Sequence, residues 1–355
     1  MKKTSNVVKV GNCFIGGNYP ILIQSMCNIK TSNTSEVIKQ INDLEKAGCN
    51  IIRVSVLDTQ DAKAIKEIKK HINIPIVADI HFDYNLAIEA IENGCDKIRI
   101  NPGNIGSIEN IKKIVDKCKE KHIPIRIGVN SGSIEKDILT KFSDKATQLA
   151  ESTLRHVKIL EDLDFHDIVI SCKSSDVLTT IDAYRYLHNK VNYPLHIGIT
   201  EAGTLTTGTV KSSIGLGILL NEGIGDTIRV SLSADPIQEI KVAKEILSTF
   251  NLYKKINLIS CPTCGRTEYN MLPLLNKLEQ FINTLPDVDL KIAVMGCVVN
   301  GPGEAKNADI GIAGGKNCAM LFIKGEIIRK IDEANLYEEF TKEIMDLVNE
   351  KLNNK

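Results

Sequence analysis

Two segments, Gly48-Cys49-Asn50-Ile51-Ile52-Arg53-Val54 and Gly94-Cys95-Asp96-Lys97-Ile98-Arg99-Ile100, decide the fold class of this chain. Both begin with Gly-Cys and carry an arginine between β-branched residues, and a looser third copy lies at 223–230. A glycine that ends a helix, followed by a short apolar run, is the pattern of a strand entered from a helix. The chain therefore repeats a strand–helix unit.

Short β-branched runs recur along the first 250 residues, with helical periodicity between them. For example, Ser107 is placed to cap a helix whose apolar face begins at Ile108, and Gly48 is placed to end another. Alternating strands and helices predict a parallel sheet, and eight units in about 250 residues favour an α/β fold of the TIM type, a (β/α)8 barrel, over an open doubly wound sheet. The predicted strands are 21–26, 51–56, 74–80, 97–101, 124–130, 167–173, 194–200 and 227–232.

The pattern changes after Phe250, and we predict two domains, 1–252 and 253–355. The second is a small α+β domain. Its predicted linker is 251–260, its helices are 269–285 and a charged one from Asn335, and its strands are 290–295, 308–312 and 319–323. The Gly-rich segment 7–18 is expected to form a hairpin that closes the bottom of the barrel.

Composition narrows the class of protein. The 355 residues include 44 Lys+Arg and 44 Asp+Glu, so the formal net charge is zero, which argues against a nucleic-acid partner. No apolar stretch approaches the roughly 20 residues of a membrane-spanning helix, and we expect a cytoplasmic protein without a membrane partner. Ten cysteines are too few for a disulfide scaffold, so paired cysteines are first considered as metal ligands.

Polar residues gather where the predicted strands end, which is the catalytic face of a TIM barrel. Five of these strands carry a cation there, and a cluster of like charges needs a counter-anion such as a phosphate or diphosphate. The alternative is a set of structural ion pairs. Asp79, His81 and Glu201 lie on the same face as candidate proton donors and acceptors. The candidate anion-binding residues are Arg53, Arg99, Asn101, Arg126, Asn130, Lys173, Thr200, Arg229 and Ser231.

The second domain contains a metal-binding pattern. Cys261-Pro262-Thr263-Cys264-Gly265-Arg266 holds a C-x2-C pair, and Cys297 follows a predicted strand. A tetrahedral zinc site or an iron–sulfur cluster needs a fourth ligand, which could be Cys318 or Glu304. Spacing alone decides neither the metal nor this ligand.

Together, the segments 261–266, 296–304, 99–104 and 200–203 make the chain resemble the 4-hydroxy-3-methylbut-2-enyl diphosphate synthase family, iron–sulfur enzymes of the non-mevalonate isoprenoid pathway. The resemblance extends over nearly the whole chain and is to the two-domain bacterial type. It implies reductive ring opening and dehydroxylation of 2-C-methyl-D-erythritol 2,4-cyclodiphosphate, with electrons from flavodoxin or ferredoxin.

The resemblance also implies residue roles. It implies a [4Fe–4S] cluster held by Cys261, Cys264, Cys297 and Glu304, with Cys318 left as a bystander. Glu201 would be the acid–base residue. The diphosphate would be held by Arg53, Arg99, Arg126 and Lys173, with Asn101 and Ser231 assisting and Asn130 and Asn300 orienting substrate or cluster-side groups.

A short connection between the domains bears on the assembly. About ten extended residues after Phe250 reach only ~35 Å, and the last barrel helix is expected to end away from the mouth. We therefore expect a head-to-tail homodimer in which each cluster domain caps the barrel of the partner, an arrangement that the resemblance also implies. Two other functions remain open: a pterin-type transferase barrel with a structural zinc module, and a non-catalytic iron–sulfur carrier.

Overall fold

A computed structural model describes residues 4–297 and 305–353. The chain forms two compact units, Met1–Leu252 and Tyr253–Lys355. Within the described ranges, no helix is long and apolar enough to span a membrane.

The first unit is a barrel of eight parallel strands, as predicted. After a hairpin of β1 (Val8–Val10) and β2 (Cys13–Ile15), its barrel strands are β3 (Leu22–Met26), β4 (Ile51–Ser55), β5 (Ile76–Asp79), β6 (Lys97–Ile100), β7 (Ile125–Asn130), β8 (Ile168–Lys173), β9 (His196–Ile197) and β10 (Thr227–Ile228). A bridge between Ile170 and Leu195 closes the sheet.

Helices follow the barrel strands in sequence. They are α1 (Thr34–Ala47), α2 (Thr59–Ile68), α3 (Tyr84–Glu92), α4 (Ile108–Lys121), α5 (Lys136–Lys141), α6 (Lys145–Asp162), α7 (Val177–Lys190), α8 (Leu205–Asn221) and α9 (Pro236–Thr249). The predicted ends of two of them are confirmed. Ser107 accepts a hydrogen bond from the Asn110 N–H at the start of α4, and Gly48 ends α1 with φ +107°.

The hairpin closes the bottom of the barrel, as predicted. Its buried side chains pack against the lowest apolar residues of the barrel interior. The cluster consists of Val8, Val10 and Ile15 with Ile51, Val77 and Val169.

The second unit is a five-stranded sheet with helices packed on it. Its elements are β11 (Ile256–Ser260), α10 (Met271–Ile282), β12 (Leu290–Met295), β13 (Ile310–Gly315), β14 (Cys318–Ile323), β15 (Glu326–Asp332) and the C-terminal helix Leu336–Asn353. The sheet follows chain order, with β11, β12 and β13 parallel and the last two strands antiparallel. Leu274, Leu278, Phe340 and Ile344 of the helices belong to its core.

One prediction for this unit was wrong, and one strand was missed. The segment 251–260 is not all linker, because β11 occupies its second half and pairs with β12. Strand β15 was not predicted, since its charged residues match an exposed edge strand better than a buried one.

Candidate active site

The interior of the barrel is built in layers of four side chains. Following the strand register around the barrel, with a stagger of about one residue per strand, gives three such layers. The lower layer is Ile51, Lys97, Val169 and Thr227; the middle layer is Gln24, Val77, Arg126 and His196; the upper layer is Arg53, Arg99, Ser171 and Arg229. Branched apolar residues usually fill these positions. Polar layers therefore mark a site for polar chemistry.

Asp79 organises one side of the mouth. Its carboxylate lies 3.1 Å from Arg99 Nη1, 3.7 Å from Arg53 Nε and 3.3 Å from His81 Nε2. Burial of Asp79 opposes its ionisation, but Arg53, the hydrogen bond with His81 and Arg99 hold the pKa of the carboxyl well below its usual range. Asp79 is therefore a fixed anion that orients two arginines.

Arg229, on the other side, is held by Glu239 of α9. The buried Glu239 carboxylate accepts hydrogen bonds from Arg229 Nε and Nη2, both at 3.3 Å, from Ser25 Oγ at 2.9 Å and from the Leu232 N–H at 3.1 Å. Our sequence analysis missed Glu239. Its signal is weak, because an acidic residue in the first turn of a helix is ordinarily explained by the helix dipole.

Arg126 and Lys173 differ from the other three cations of the mouth in their partners. Among the described residues, no acidic group lies within salt-bridge distance of either, and Nε and Nη1 of the buried Arg126 have no hydrogen-bond partner. Burial and then neighbouring arginines lower the pKa values of both groups. The five-cation mouth, Arg53, Arg99, Arg126, Lys173 and Arg229, thus carries more positive charge than Asp79 and Glu239 neutralise.

Two glycines make room for these cations. A Cβ at Gly128 would lie 2.3 Å from Arg99 Nε, and one at Gly198 would lie 2.6 Å from Lys173 Nζ. Side chains at these positions would displace the charged groups. The absence of a side chain at Gly128 and Gly198 therefore makes room above the middle layer for the cationic groups of Arg99 and Lys173.

The rim of the mouth forms a cleft of about 360 Å³. Asn101 and Ser133 are joined across it by a hydrogen bond of 3.0 Å. Glu201 adopts a left-handed backbone conformation, with φ +50°, which is uncommon for a residue with a side chain and is often found at functional sites. The cleft is lined by His81, Arg99, Asn101, Asn130, Thr200 and Glu201, among others. Ser231 lies two residues beyond Arg229 and is half-buried.

Three further interior polar residues were missed by the sequence analysis. Gln24, Lys97 and His196 are buried and each has a side-chain atom without a hydrogen-bond partner in the described part of the chain. Each lies two positions before a residue near the mouth, so extending the alternation of strand faces downward would have found them.

In the second unit, the cysteine pair and Cys297 follow neighbouring strands. Cys261 comes directly after β11 and Cys297 two residues after β12, and these strands are parallel and paired. The Gly296 N–H donates to Cys261 Sγ at 3.0 Å. Hydrogen bonds from the backbone and side chain of Arg266 lower the pKa of Cys264. Such a donor set suits thiolate ligation of a metal. Glu304 and Asn300 lie outside the described residues.

The other cysteines are mostly buried. Cys27, Cys49, Cys95, Cys118 and Cys172 are buried, while Cys13 and Cys318 are half-buried. Burial raises the pKa of Cys27 to about 12. The buried thiols are therefore protonated at neutral pH and are poor metal ligands.

Fold and site together define a TIM-barrel protein with an anion-attracting mouth, followed by a small domain in which Cys261 and Cys297 come after neighbouring parallel strands. Residues 5–244 match the model of the GcpE TIM-barrel domain, and residues 257–346 match that of the GcpE protein C-terminal domain. The chain belongs to the GcpE family.

Relatives extend this similarity over the full length. A protein of Clostridium perfringens is 58% identical over 96% of this chain and 98% of its own length. One of Fusobacterium nucleatum is 56% identical over 99% of this chain and 100% of its own length. Both are called 4-hydroxy-3-methylbut-2-en-1-yl diphosphate synthase (flavodoxin).

Solved structures with a similar barrel include dihydropteroate synthases. That of Xanthomonas albilineans gives a TM-score of 0.52 at 10% identity, covering 70% of this chain and 98% of its own. That of Yersinia pestis gives 0.50 at 10% identity, covering 69% and 98%. At this identity the likeness shows the fold alone, so it does not favour the pterin-type transferase.

Proposed function

We propose that this chain is an oxidoreductase that converts 2-C-methyl-D-erythritol 2,4-cyclodiphosphate to 4-hydroxy-3-methylbut-2-enyl diphosphate. The observation that carries the proposal is the full-length similarity, 58% over 96% of the chain, to an enzyme named for this product. The reaction consumes two electrons and two protons, breaks the ring C–O bond to phosphate and releases one hydroxyl as water. The unneutralised cations of the mouth suit a cyclic diphosphate.

In this mechanism the five-cation mouth binds the diphosphate. Arg126, which is buried, and Lys173 have no acidic partner within the described ranges, so no carboxylate offsets the attraction of these two groups for phosphate oxygens. Arg53 and Arg99 are held by Asp79, which fixes their direction before the substrate arrives. Preorganised cations of this kind stabilise the negative charge that the phosphate gains when the C–O bond breaks. Asn101 and Ser231 would add hydrogen bonds at the rim.

Glu201 is proposed as the residue that donates protons during the reaction. It lines the same cleft as Arg99 and Asn101, and its left-handed backbone conformation sets the direction of its Cα–Cβ bond. A carboxyl group at the rim could donate a proton to the departing hydroxyl and be recharged from solvent. His81 contacts the ionised Asp79 and is a second candidate donor, while Asp79 itself is held as an anion. Asn130 and Thr200 would orient the substrate.

A [4Fe–4S] cluster is the proposed cofactor. Cys261, Cys264 and Cys297 would hold it, and Glu304, outside the described residues, is proposed as the fourth ligand. When bound, the cluster supplies single electrons at a potential suited to reductive cleavage. The parallel pairing of β11 and β12, which brings Cys261 to the Gly296 N–H, supports this assignment. Asn300 would orient groups on the cluster side.

The proposed partners are flavodoxin and a second copy of the chain. Flavodoxin is the donor in the names of the relatives, and ferredoxin is the alternative donor. The short connection after Phe250 supports a head-to-tail homodimer in which each cluster domain serves the barrel of the partner.

Protein purified without air tests this function. We expect four irons per chain and turnover of the cyclic diphosphate with reduced flavodoxin or with dithionite and a viologen dye. Bound zinc without iron would instead support the transferase, and an iron cluster without turnover would support the carrier. As a matched pair, Cys264→Ser should lose both iron and turnover, whereas Cys118→Ser, at a buried thiol of the barrel, should keep the iron content.

A further inference from the structure

Lys97 is an unusual lysine because its amine is buried in the barrel interior among the described residues without a hydrogen-bond partner. It lies in the lower layer of the barrel, is 0% exposed, and its Nζ has no hydrogen-bond partner among the described residues. A fully buried ammonium ion without an acceptor is strongly disfavoured, whereas a neutral amine tolerates such a position.

The surroundings of Lys97 also favour the neutral form. Burial, then Arg126 of β7, and then Arg53 of β4 lower the pKa of the amine, while Cys13 of the β1–β2 hairpin opposes them. His196 of β9 interacts electrostatically with Lys97, and the pKa of His196 is lowered by burial and then by Lys173, Arg126, Lys97 and Arg53. Asp96, the neighbouring carboxylate, is bound by Lys69 Nζ at 2.6 Å.

The cations that repel Lys97 are those of the mouth above it. Arg126 lies in the adjacent middle layer and Arg53 in the upper layer, and both belong to the five-cation mouth. A polyanion bound by these groups would offset their field at Lys97, because charge effects reach through a low-dielectric interior. The same amine would then be stabilised as an ammonium ion.

We propose that Lys97 is a proton acceptor coupled to the anion site, neutral while the mouth is free of anion and protonated from solvent when a diphosphate group binds. The N–H bond forms on Nζ, the proton comes from water or buffer, and no electrons move. The inference rests on the proposed function, since it requires a diphosphate ligand at the mouth. The site thereby gains a positive charge that is present only in the complex.

Calorimetry with inorganic pyrophosphate tests this coupling. Binding to full-length protein prepared without air is measured at pH 8 in buffers of different ionisation enthalpy, which gives the number of protons taken up. We expect Lys97→Met to take up about half to one proton fewer than the wild type, since that residue accounts for at most one. Protons exchanged by pyrophosphate itself are common to both proteins.

Control variants separate the possible outcomes. Lys63→Met, at a lysine that is 67% exposed on α2, should match the wild type. Lys97→Gln is a second neutral variant in case the methionine does not fold. Equal proton uptake by the wild type and the folded Lys97 variant would overturn the inference while leaving the anion site intact. No pyrophosphate binding by the wild type would overturn both the inference and the proposed diphosphate site.

Discussion

Asp79 holds two arginines and one histidine from a position that is almost fully buried. Its folded pKa lies below its ordinary value of 3.8, so the stabilisation it provides is complete above that value. The stabilisation is lost as the pH falls below 3.8 towards the folded pKa. Acid should therefore weaken the barrel partly through this one carboxyl group.

Replacing Asp79 by asparagine tests this pH dependence. We expect Asp79→Asn to lower the free energy of unfolding by about 3 kcal/mol at pH 7, because it leaves two arginines without their anion. The difference from the wild type should shrink between pH 4 and pH 2.5, as measured by urea unfolding. A difference that is constant over this range would refute the role of Asp79. Asp162→Asn, at a 62% exposed residue, should change stability by less than about 0.5 kcal/mol at every pH.

Single residues at the mouth were largely predictable from strand alternation. Arg53 and Asp79 were expected on one face, and the structure joins them. The partner of Arg229 was not predictable in this way, because Glu239 comes from a helix and contacts the strand only through the tertiary fold. The alternation of side chains along one strand carries no information about which helix residue contacts that strand.

At the scale of elements, α9 acts as a support for the end of β10. Glu239 connects the helix to Arg229 and to the Leu232 N–H, so one carboxylate fixes both a cation and the loop that follows it. Ser231, a proposed substrate contact, lies between these two attachment points. The helix therefore positions part of the mouth through Arg229 and the loop after β10.

Glu239→Ala should raise KM about 10-fold or more with a smaller effect on kcat, since it frees Arg229 while leaving Glu201 and the cysteines unchanged. Glu239→Gln should restore part of the loss, because its single amide oxygen can still accept from either Ser25 or the Leu232 N–H, which donate to different oxygens of the carboxylate. Lys241→Ala, at an exposed residue of the same helix, serves as the control. Steady-state kinetics give both constants. An equal loss of kcat in the alanine variant would indicate a role beyond positioning.

Local periodicity predicted the eight barrel strands but not the edges of the second sheet. Strand β11 is short, and its partner β12 begins about thirty residues later along the chain, so no local pattern distinguishes it from a linker. Its placement matters for the proposed cluster site, because the parallel pairing brings Cys261 next to Gly296.

At the scale of the whole molecule, the proposed dimer makes a clear prediction. If each active site combines the barrel of one chain with the cluster domain of the other, Glu201→Ala and Cys264→Ser should complement each other. Random pairing should restore about a quarter of wild-type activity, since half the dimers are mixed and each mixed dimer has one intact site. Activity is measured on the unfractionated product of co-expression, and the mixed dimer isolated through two different tags should show about half of wild-type activity, since one of its two sites is intact.

The two variants expressed alone provide the control, and each should remain inactive. A mixed dimer that is as inactive as its parents would show that the barrel and cluster domain of the same chain work together. Wild-type gel filtration at the mass of a monomer would contradict the assembly directly.

The hairpin beneath the barrel affects how substrate enters the site and how product leaves it. Within the described residues, Val8, Val10 and Ile15 close the lower end of the barrel, so a molecule held by the mouth cations enters and leaves through the mouth. The product keeps the diphosphate group through which the mouth cations bind the substrate, so it must leave through the mouth before the next substrate can bind. Turnover should accordingly slow as product accumulates, in a competitive manner.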